Sequence, residues 1–239
     1  MNISYLPSGE TSLLLEFKKE ISEEVNQKIR KLEIAINKAN INGIIEIIPA
    51  YCSLKIDYNP LNISQSKLID KINSLKNNIS DLDIEKPEVV EIPTLYRGED
   101  IEYVAKYNNL SVKEVIEIHS SKVYLIYMLG FITGFPYLGG MSEKIATPRL
   151  ENPRTKIKKG SVGIADSQTG IYPLDTPGGW RIIGKTPLNL FDPKNKNPFL
   201  LEAGNYIKFK PIDKKEFNKI KYKMENNSYK VNSYPKDVK

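Results

Sequence analysis

Three kinds of side chain in this sequence could together act on a small polar molecule: one imidazole, one carboxamide and two guanidiniums. His119 is the single histidine, so a mechanism that needs a group titrating near neutral pH depends on it. The segment Ser167-Gln168-Thr169-Gly170 places an amide and two hydroxyls in one turn. Such an amide both donates and accepts, which suits it to bind another amide, such as a lactam. Arg149 and Arg154 each follow a proline and can form bidentate pairs with a carboxylate or phosphate.

Each of these residues also has a structural interpretation. His119 could lie at the C-terminus of a helix and interact with the helix dipole. The two arginines could form surface ion pairs, for which the nearby acidic residues are Glu143, Glu151 and Asp166. The neighbouring aromatic side chains could wall a small pocket or fill the core; they are Phe131, Phe135, Tyr137 and Trp180.

The candidates lie in or close to a segment rich in glycine and proline. Residues 130–193 hold ten of the 14 glycines and seven of the 15 prolines. Because glycine permits positive φ and close approach while proline fixes φ, this density indicates a framework of tightly specified turns. We therefore expect polar side chains on these turns to be held rigidly.

Two other kinds of site are disfavoured. Gly179–Thr186 matches the phosphate-loop pattern, but its central residues Trp180-Arg-Ile-Ile183 are bulky and β-prone, and Pro187 follows at once. A phosphate loop should open a helix, so we interpret this stretch as a strand. No His or Cys cluster is present and Cys52 is the single cysteine, so no metal site is predicted.

Charge and hydropathy exclude further classes. The net charge is +6, and residues 212–239 contribute 8 basic and 4 acidic side chains to it. The excess therefore lies mostly in a Lys-rich segment, which we interpret as a solvated, partly helical tail, and no nucleic-acid-binding motif accompanies it. No apolar run approaches the roughly 18 residues of a membrane span, and Met1–Phe17 lacks the pattern of a signal peptide. We expect a cytoplasmic protein.

The N-terminal third alternates short strands and helices. A hairpin is predicted around Pro7-Ser8-Gly9, and Ser22 followed by two glutamates marks the start of a helix with an apolar stripe; the stripe comprises Val25, Ile29, Leu32 and Ile36. Two strands and a helix from Ser64 follow. A strand at 89–93 would complete the split βαβ pattern of a ferredoxin-like sandwich, but the sequence does not decide whether this strand belongs to the first or the second domain. The polar stretch 77–88 is the candidate linker.

The remainder opens with two short helices and continues as short β-prone pieces between turns. Ser111 and Glu114 have the capping-box spacing, which predicts the start of the second helix, ending near His119. Many short strands separated by glycine and proline are typical of a compact β-barrel or sandwich.

The central motifs resemble the KipI/PxpB family, that of the B subunit of 5-oxoprolinase, also called allophanate hydrolase subunit 1. The motifs that carry the resemblance are Gly134-Phe-Pro-Tyr-Leu-Gly139, Thr147-Pro-Arg149, Pro153-Arg154, Gly160-Ser-Val-Gly-Ile-Ala165, Gln168-Thr-Gly-Ile-Tyr-Pro173, Pro177-Gly-Gly-Trp180 and Leu190-Phe-Asp-Pro193. The resemblance implies an α+β chain of two domains. These would be a ferredoxin-like α/β sandwich at 1–86 and a cyclophilin-like β-barrel at 87–211, with the Lys-rich tail at 212–239.

The resemblance also implies an activity. Family members act with PxpA-type and PxpC-type subunits in the ATP-dependent opening of 5-oxoproline to glutamate, so we expect a small amide substrate and a chain that is inactive alone. ATP would be used by the complex and not bound by this chain alone. The alternative is a KipI-type inhibitor of a sensor histidine kinase.

The leading hypothesis assigns a role to each candidate residue. His119 would transfer a proton, and Gln168 with Thr169 would hydrogen-bond the lactam amide or a developing oxyanion. Arg149 or Arg154 would bind the substrate carboxylate. The rest of the predicted substrate-binding set is aromatic and consists of Phe135, Tyr137 and Tyr172.

Overall fold

The computed structural model describes residues 3–76 and 86–236. These residues fall into two compact units that divide between Glu85 and Lys86. Most of the predicted linker, 77–85, lies outside the described residues. In the part of the chain described, no helix has the length and apolar character needed to cross a membrane.

The first unit is a sheet covered by two helices. Its elements are β1 (Ser4–Pro7), β2 (Ser12–Glu16), α1 (Glu23–Ala39), β3 (Ile44–Pro49), β4 (Ser53–Tyr58) and α2 (Gln65–Lys76). The sheet order is β1-β2-β4-β3, with every neighbouring pair antiparallel. Alternation along β2 and β4 turns one face inward; its fully buried residues are Leu13, Leu15, Leu54 and Ile56.

Three local sequence signals of this unit, an N-cap, an apolar stripe and a turn, correspond to elements of the structure. Ser22 is the N-cap of α1, where its hydroxyl accepts from the Val25 N–H at 3.3 Å. The predicted apolar stripe of α1 is buried in the core of the unit, and β1 and β2 form the predicted hairpin. These predictions are confirmed.

The structure decides which unit contains the strand whose domain the sequence left open. The strand expected at 89–93 is β5 (Glu88–Thr94), and it pairs with β13 (Tyr206–Pro211) in the second unit. It therefore does not complete the N-terminal sheet. Since β2 and β3 both run antiparallel to β4, the split βαβ arrangement is still present, with β1 at the edge beside β2.

Within residues 86–236, the second unit combines short strands with three α-helices and a short 3-10 helix, Glu143–Ile145. Its remaining elements are α3 (Ile101–Tyr107), α4 (Val112–Ser121), β6 (Tyr124–Leu129), β7 (Pro136–Gly139), β8 (Arg154–Ile157), β9 (Ser161–Ala165), β10 (Gln168–Ile171), β11 (Thr176–Gly178), β12 (Arg181–Lys185), α5 (Lys214–Glu225) and β14 (Ser233–Pro235). The capping box of Ser111 and Glu114 starts α4, as predicted.

These strands do not form the expected closed barrel. Within residues 86–236 they form separate sheets in the orders β14-β5-β13-β6-β7, β10-β9-β12 and β11-β8. Register shifts interrupt the β6–β7, β9–β12 and β8–β11 ladders. Because these ladders are short and bulged, the hydrogen bonding does not run continuously around the unit. The sheets instead enclose a shared core that includes Ile92, Ile164, Ile183 and Ile207.

Residues 212–236 were expected to form a solvated, partly helical tail. The helix is present as α5 (Lys214–Glu225), but the segment packs as part of this unit. Helix α5 buries Phe217 and Ile220, and β14 pairs antiparallel with β5. The lysines of α5 occupy its outer, exposed face and its apolar residues the inner face. The helix is therefore amphipathic, which the high overall charge of the segment does not reveal.

Candidate functional site

Four predicted aromatic residues form one cluster in the second unit, which we call the aromatic cluster: Phe135, Tyr137, Tyr172 and Trp180. The ring of Phe135 is at the centre. Its centroid lies 5.4 Å from that of Tyr137, 5.4 Å from that of Tyr172 and 5.3 Å from that of Trp180, each in edge-to-face geometry. Such contacts fix ring orientation beyond simple burial, so the cluster is a rigid platform.

Strand β10 lies directly under this platform. A Cβ added at Gly170 would lie 2.8 Å from Cζ of Phe135 and 3.1 Å from Cζ3 of Trp180. Glycine is therefore required there because the rings occupy the space of a side chain. Since strand residues alternate between faces, Gln168 lies on the same face as Gly170, and Thr169 on the opposite face. The position of Gln168 is therefore on the face of β10 that meets the aromatic cluster.

Arg149 reaches the same region. Its guanidinium carbon lies 5.9 Å from the centroid of the Trp180 ring, and its Nε lies 3.4 Å from an Asp166 oxygen. Asp166 begins the two-residue turn between β9 and β10, and its backbone bridges to Thr147. Both partners of the ion pair are more than half exposed, and such pairs contribute little to stability. Arg149 can therefore exchange Asp166 for an anionic ligand at low cost.

Arg154 is held by the protein itself, which does not support the prediction that it binds substrate. Its Nε lies 3.1 Å from Glu99, its Nη2 lies 3.0 Å from Asp100, and its Nη1 donates to the Trp180 carbonyl at 3.3 Å. Asp100 is buried, and its other carboxylate oxygen accepts from the Ile182 N–H at 2.6 Å. Moving Arg154 onto a ligand would leave a buried carboxylate poorly compensated.

Tyr172 is the most deeply buried hydroxyl-bearing residue of the aromatic cluster. Its side chain is buried, and burial raises its pKa to about 12, against the effects of the Trp180 backbone, Arg149 and Arg154. The phenol is therefore a neutral hydrogen-bonding group at physiological pH.

His119 lies in the core. It is fully buried on α4, where its Nδ1 lies 2.7 Å from the Tyr96 hydroxyl and its Nε2 lies 2.8 Å from the Thr169 hydroxyl. Thr169 donates its own proton to the Gly163 carbonyl at 3.0 Å, so it accepts from an Nε2–H and Tyr96 donates to Nδ1. Both ring nitrogens are used.

This environment keeps the imidazole neutral. Burial lowers the pKa of His119 to about 3, because a charged ring has lost its water. The ring also packs against Phe209, with centroids 4.3 Å apart. The structure therefore does not support the predicted proton transfer by His119, or lactam binding by Thr169, whose hydroxyl is fully buried. Arg149 lies beside the aromatic cluster, and the position of Gln168 is on the same face of β10 as Gly170. His119 contacts Thr169 on the opposite face of β10.

Tyr96 and Asp100 were not identified from the sequence. Tyr96 hydrogen-bonds His119, and Asp100 binds Arg154. Asp100 directly precedes α3, and an acidic residue before a helix is an N-cap signal. Its side chain instead bonds to Arg154 and the backbone of Ile182. No local signal marks Tyr96.

The stretch resembling a phosphate loop is strand β12, as predicted, and no helix follows it at once. Within residues 3–76 and 86–236, no group of three or more His, Cys, Asp or Glu residues could hold a metal ion.

The fold and these motifs define a class of protein. Residues 3–201 match the model of the carboxyltransferase domain, subdomain C and D, so the chain belongs to this family and, within it, to the KipI/PxpB family that its motifs indicate. It is 43% identical over 232 residues to the B subunit of 5-oxoprolinase from Bacillus subtilis (strain 168), covering 92% of this chain and 96% of that protein. It is 38% identical over 208 residues to the protein of the same name from Escherichia coli O157:H7, covering 85% and 93% of the two chains.

Solved structures agree on the fold. The K. lactis urea amidolyase superimposes with a TM-score of 0.80 at 18% identity, covering 98% of this chain and 16% of that much longer one. The mixed α/β architecture with several sheets is therefore shared with part of that protein.

Proposed function

We propose that this chain is the PxpB-type component of a 5-oxoprolinase, which opens 5-oxoproline to glutamate together with PxpA-type and PxpC-type subunits. The observation that carries the proposal is the 43% identity to a 5-oxoprolinase component along almost the full length of both chains. The motifs between residues 134 and 193 that resemble the family include the residues that build the aromatic cluster and its edge.

The geometry supports a site for a small cyclic amide acid at this edge. Arg149 supplies a guanidinium for the ligand carboxylate. Gln168 supplies a carboxamide that can donate to the lactam carbonyl and accept from the lactam N–H. The ring faces of Tyr137 and Trp180 supply an apolar wall for the methylene carbons.

His119, Thr169 and Arg154 act as positioning residues in this proposal. His119 and Thr169 fix strand β10, which carries Gln168. Arg154 fixes the Trp180 backbone through its carbonyl. No proton transfer is assigned to them.

ATP activation is assigned to the assembled complex. An unstrained lactam opens at neutral pH only when its carbonyl is activated, and the Gly179–Thr186 stretch is a strand instead of a phosphate loop. The nucleotide should therefore be bound by a partner or at a shared site, and we expect no turnover from the isolated chain.

The test is reconstitution of the complete complex. The chain is co-expressed with its PxpA-type and PxpC-type subunits, and 5-oxoproline-dependent ATP hydrolysis is measured. Replacing Arg149 with Met should lower kcat/KM by about 10–100-fold and Gln168→Ala by about tenfold, the range of lost charged and neutral hydrogen bonds. Gln27→Ala, at an exposed position of α1, is the matched control and should leave turnover unchanged.

Two results would overturn different parts of the proposal. ATP hydrolysis that is equal with and without 5-oxoproline would refute the assignment of the complex, and inhibition of a sensor histidine kinase by the chain would then favour the KipI-type function. Full turnover of both Arg149→Met and Gln168→Ala would show that the substrate does not bind at the aromatic cluster. The assignment of the chain to a 5-oxoprolinase would still stand.

A further inference from the structure

A second polar site lies at the end of β12, and neither Arg149 nor Gln168 lines it. It is a cleft of about 240 Å³, bordered by β12, by β8 and by the loop before α3. Its charged lining residues are Arg97, Glu99, Lys156, Lys158 and Lys185. Four of these five side chains are basic, so the cleft carries an excess of positive charge.

The acidic groups near the cleft are already bound. Glu99 pairs with Arg154 at 3.1 Å, and Asp175 pairs with Lys156 at 2.9 Å while accepting from the Lys159 N–H at 2.8 Å. In the part of the chain that the structure describes, Arg97, Lys158 and Lys185 form no salt bridge. Three cations therefore converge on the cleft without a bonded carboxylate.

Lys185 is the most constrained of the three. It is half-buried, and the methylenes of its side chain pass close to Gly160, where an added Cβ would lie 3.6 Å from its Cε. Burial lowers the pKa of Lys185, and Lys158, Lys221 and Lys159 lower it further, against the opposite effect of Asp175. A lysine in a field of like charges costs stability unless an anion compensates it.

We propose that this cleft binds a phosphate group through Lys185, Lys158 and Arg97. A phosphate carries close to two negative charges at neutral pH, whereas a carboxylate carries one, so phosphate matches three convergent cations better. Lysine binds phosphate as a point charge and arginine through its planar fork. A cleft of about 240 Å³ has room for one phosphate group. The inference does not depend on the proposed 5-oxoprolinase activity.

The experiment uses the full chain and inorganic phosphate. Phosphate is titrated at constant ionic strength, with KCl replaced step by step, and binding is followed by calorimetry. We expect saturable binding in wild type and a Kd about tenfold higher in Lys185→Gln, since one charged hydrogen bond is lost. Lys158→Gln, an exposed position, should weaken binding similarly and guards against a folding defect in the first variant. Lys67→Gln, exposed on α2 in the first unit, should bind as wild type does.

A parallel titration with ATP identifies the source of the phosphate. Tighter binding of ATP than of inorganic phosphate, lost in the same two variants, assigns the group to a nucleotide, and the reverse order assigns it to free phosphate. The proposal is overturned if phosphate binding is absent, or if Lys185→Gln and Lys158→Gln both bind phosphate as tightly as wild type.

Discussion

The Nε2 atom of His119 lies 2.8 Å from the hydroxyl oxygen of Thr169, and this hydrogen bond joins helix α4 to strand β10 inside the core. The same strand carries Gln168 and Gly170 toward the aromatic cluster. The hydrogen bond between His119 and Thr169 is buried and takes no part in ligand binding, but it holds β10 in place. His119 and Thr169 therefore position the candidate site, whereas residues on the opposite face of β10 can contact a ligand.

Removing the acceptor of this bond should destabilise the protein. Thr169→Val preserves the shape of the side chain but leaves the His119 Nε2–H buried without a partner, which should lower the free energy of unfolding by about 1–3 kcal/mol. Urea denaturation provides the measurement. Thr155→Val, at an exposed position of β8, should change stability by less than about 0.5 kcal/mol. Equal stabilities for wild type and Thr169→Val would contradict the network.

Burial of His119 should also make stability depend on pH. The pKa is about 3 in the folded protein against an ordinary value of 6.5, so between these values the unfolded chain binds the extra proton. Stability should therefore be fully present above about pH 6.5 and fall as the pH drops toward 3, by up to about 1.4 kcal/mol per pH unit.

The comparison that isolates this effect is His119→Gln, unfolded by urea between about pH 7 and pH 5. Carboxylates titrate in both proteins and cancel in the difference. The variant should start less stable and lose stability less steeply as the pH falls. Parallel pH profiles would show that His119 is protonated equally in the folded and unfolded states.

Much of the local structure was readable from the sequence, because its signals act over a few residues. The N-cap Ser22, the Ser111–Glu114 capping box and the strand character of residues 181–185 are decided by neighbouring atoms. The partners of buried polar groups are decided by the fold. Arg154 meets Asp100 across 54 residues, and His119 meets Thr169 across 50, so no local pattern could show that both were already bound.

The same limit applies to the sheets. Strand β5 was recognisable as β-prone, but its parallel partner β13 lies more than 100 residues later. The Lys-rich composition of residues 212–239 suggested solvent exposure, whereas the few apolar residues on one face of α5 decide its packing. The proximity of Arg149 to the aromatic residues follows from short, constrained turns, which the glycine and proline pattern marks.

Gly170 should not tolerate a side chain. In Gly170→Ala the new methyl would meet Phe135 at 2.8 Å and Trp180 at 3.1 Å, so the rings must shift, at a cost of about 1–3 kcal/mol. Trp180 is the single tryptophan, and its fluorescence reports the shift directly. Gly130→Ala is the matched control, since its methyl would lie 3.7 Å from Tyr137. A Gly170→Ala spectrum and stability identical to those of wild type would place Trp180 away from β10.

Substitution of Arg154 should destabilise the protein more than substitution of Arg149. Arg154→Met leaves Asp100, whose side chain is 8% exposed, with the Ile182 N–H at 2.6 Å and a long contact to Arg181 at 3.8 Å, and should cost about 3 kcal/mol of stability. Arg149→Met removes an exposed pair and should cost less than about 1 kcal/mol. Thermal and urea unfolding of both variants provide the measurement. If Arg149→Met proved the more destabilised, the assignment of Arg149 as the available guanidinium would be wrong.

The packing of the C-terminal segment can be tested on one helix. Ile220 is 4% exposed on the inner face of α5 and belongs to the core of the second unit, whereas Tyr222 is 69% exposed. Ile220→Ala should therefore lower the free energy of unfolding by about 2–5 kcal/mol, through lost burial and the cavity left behind. Tyr222→Ala should change it by less than about 0.5 kcal/mol. Because β14 follows α5 and pairs with β5, loss of this packing should also raise amide exchange at residues 88–90. A solvated tail would instead make both substitutions neutral and leave exchange at β5 unchanged.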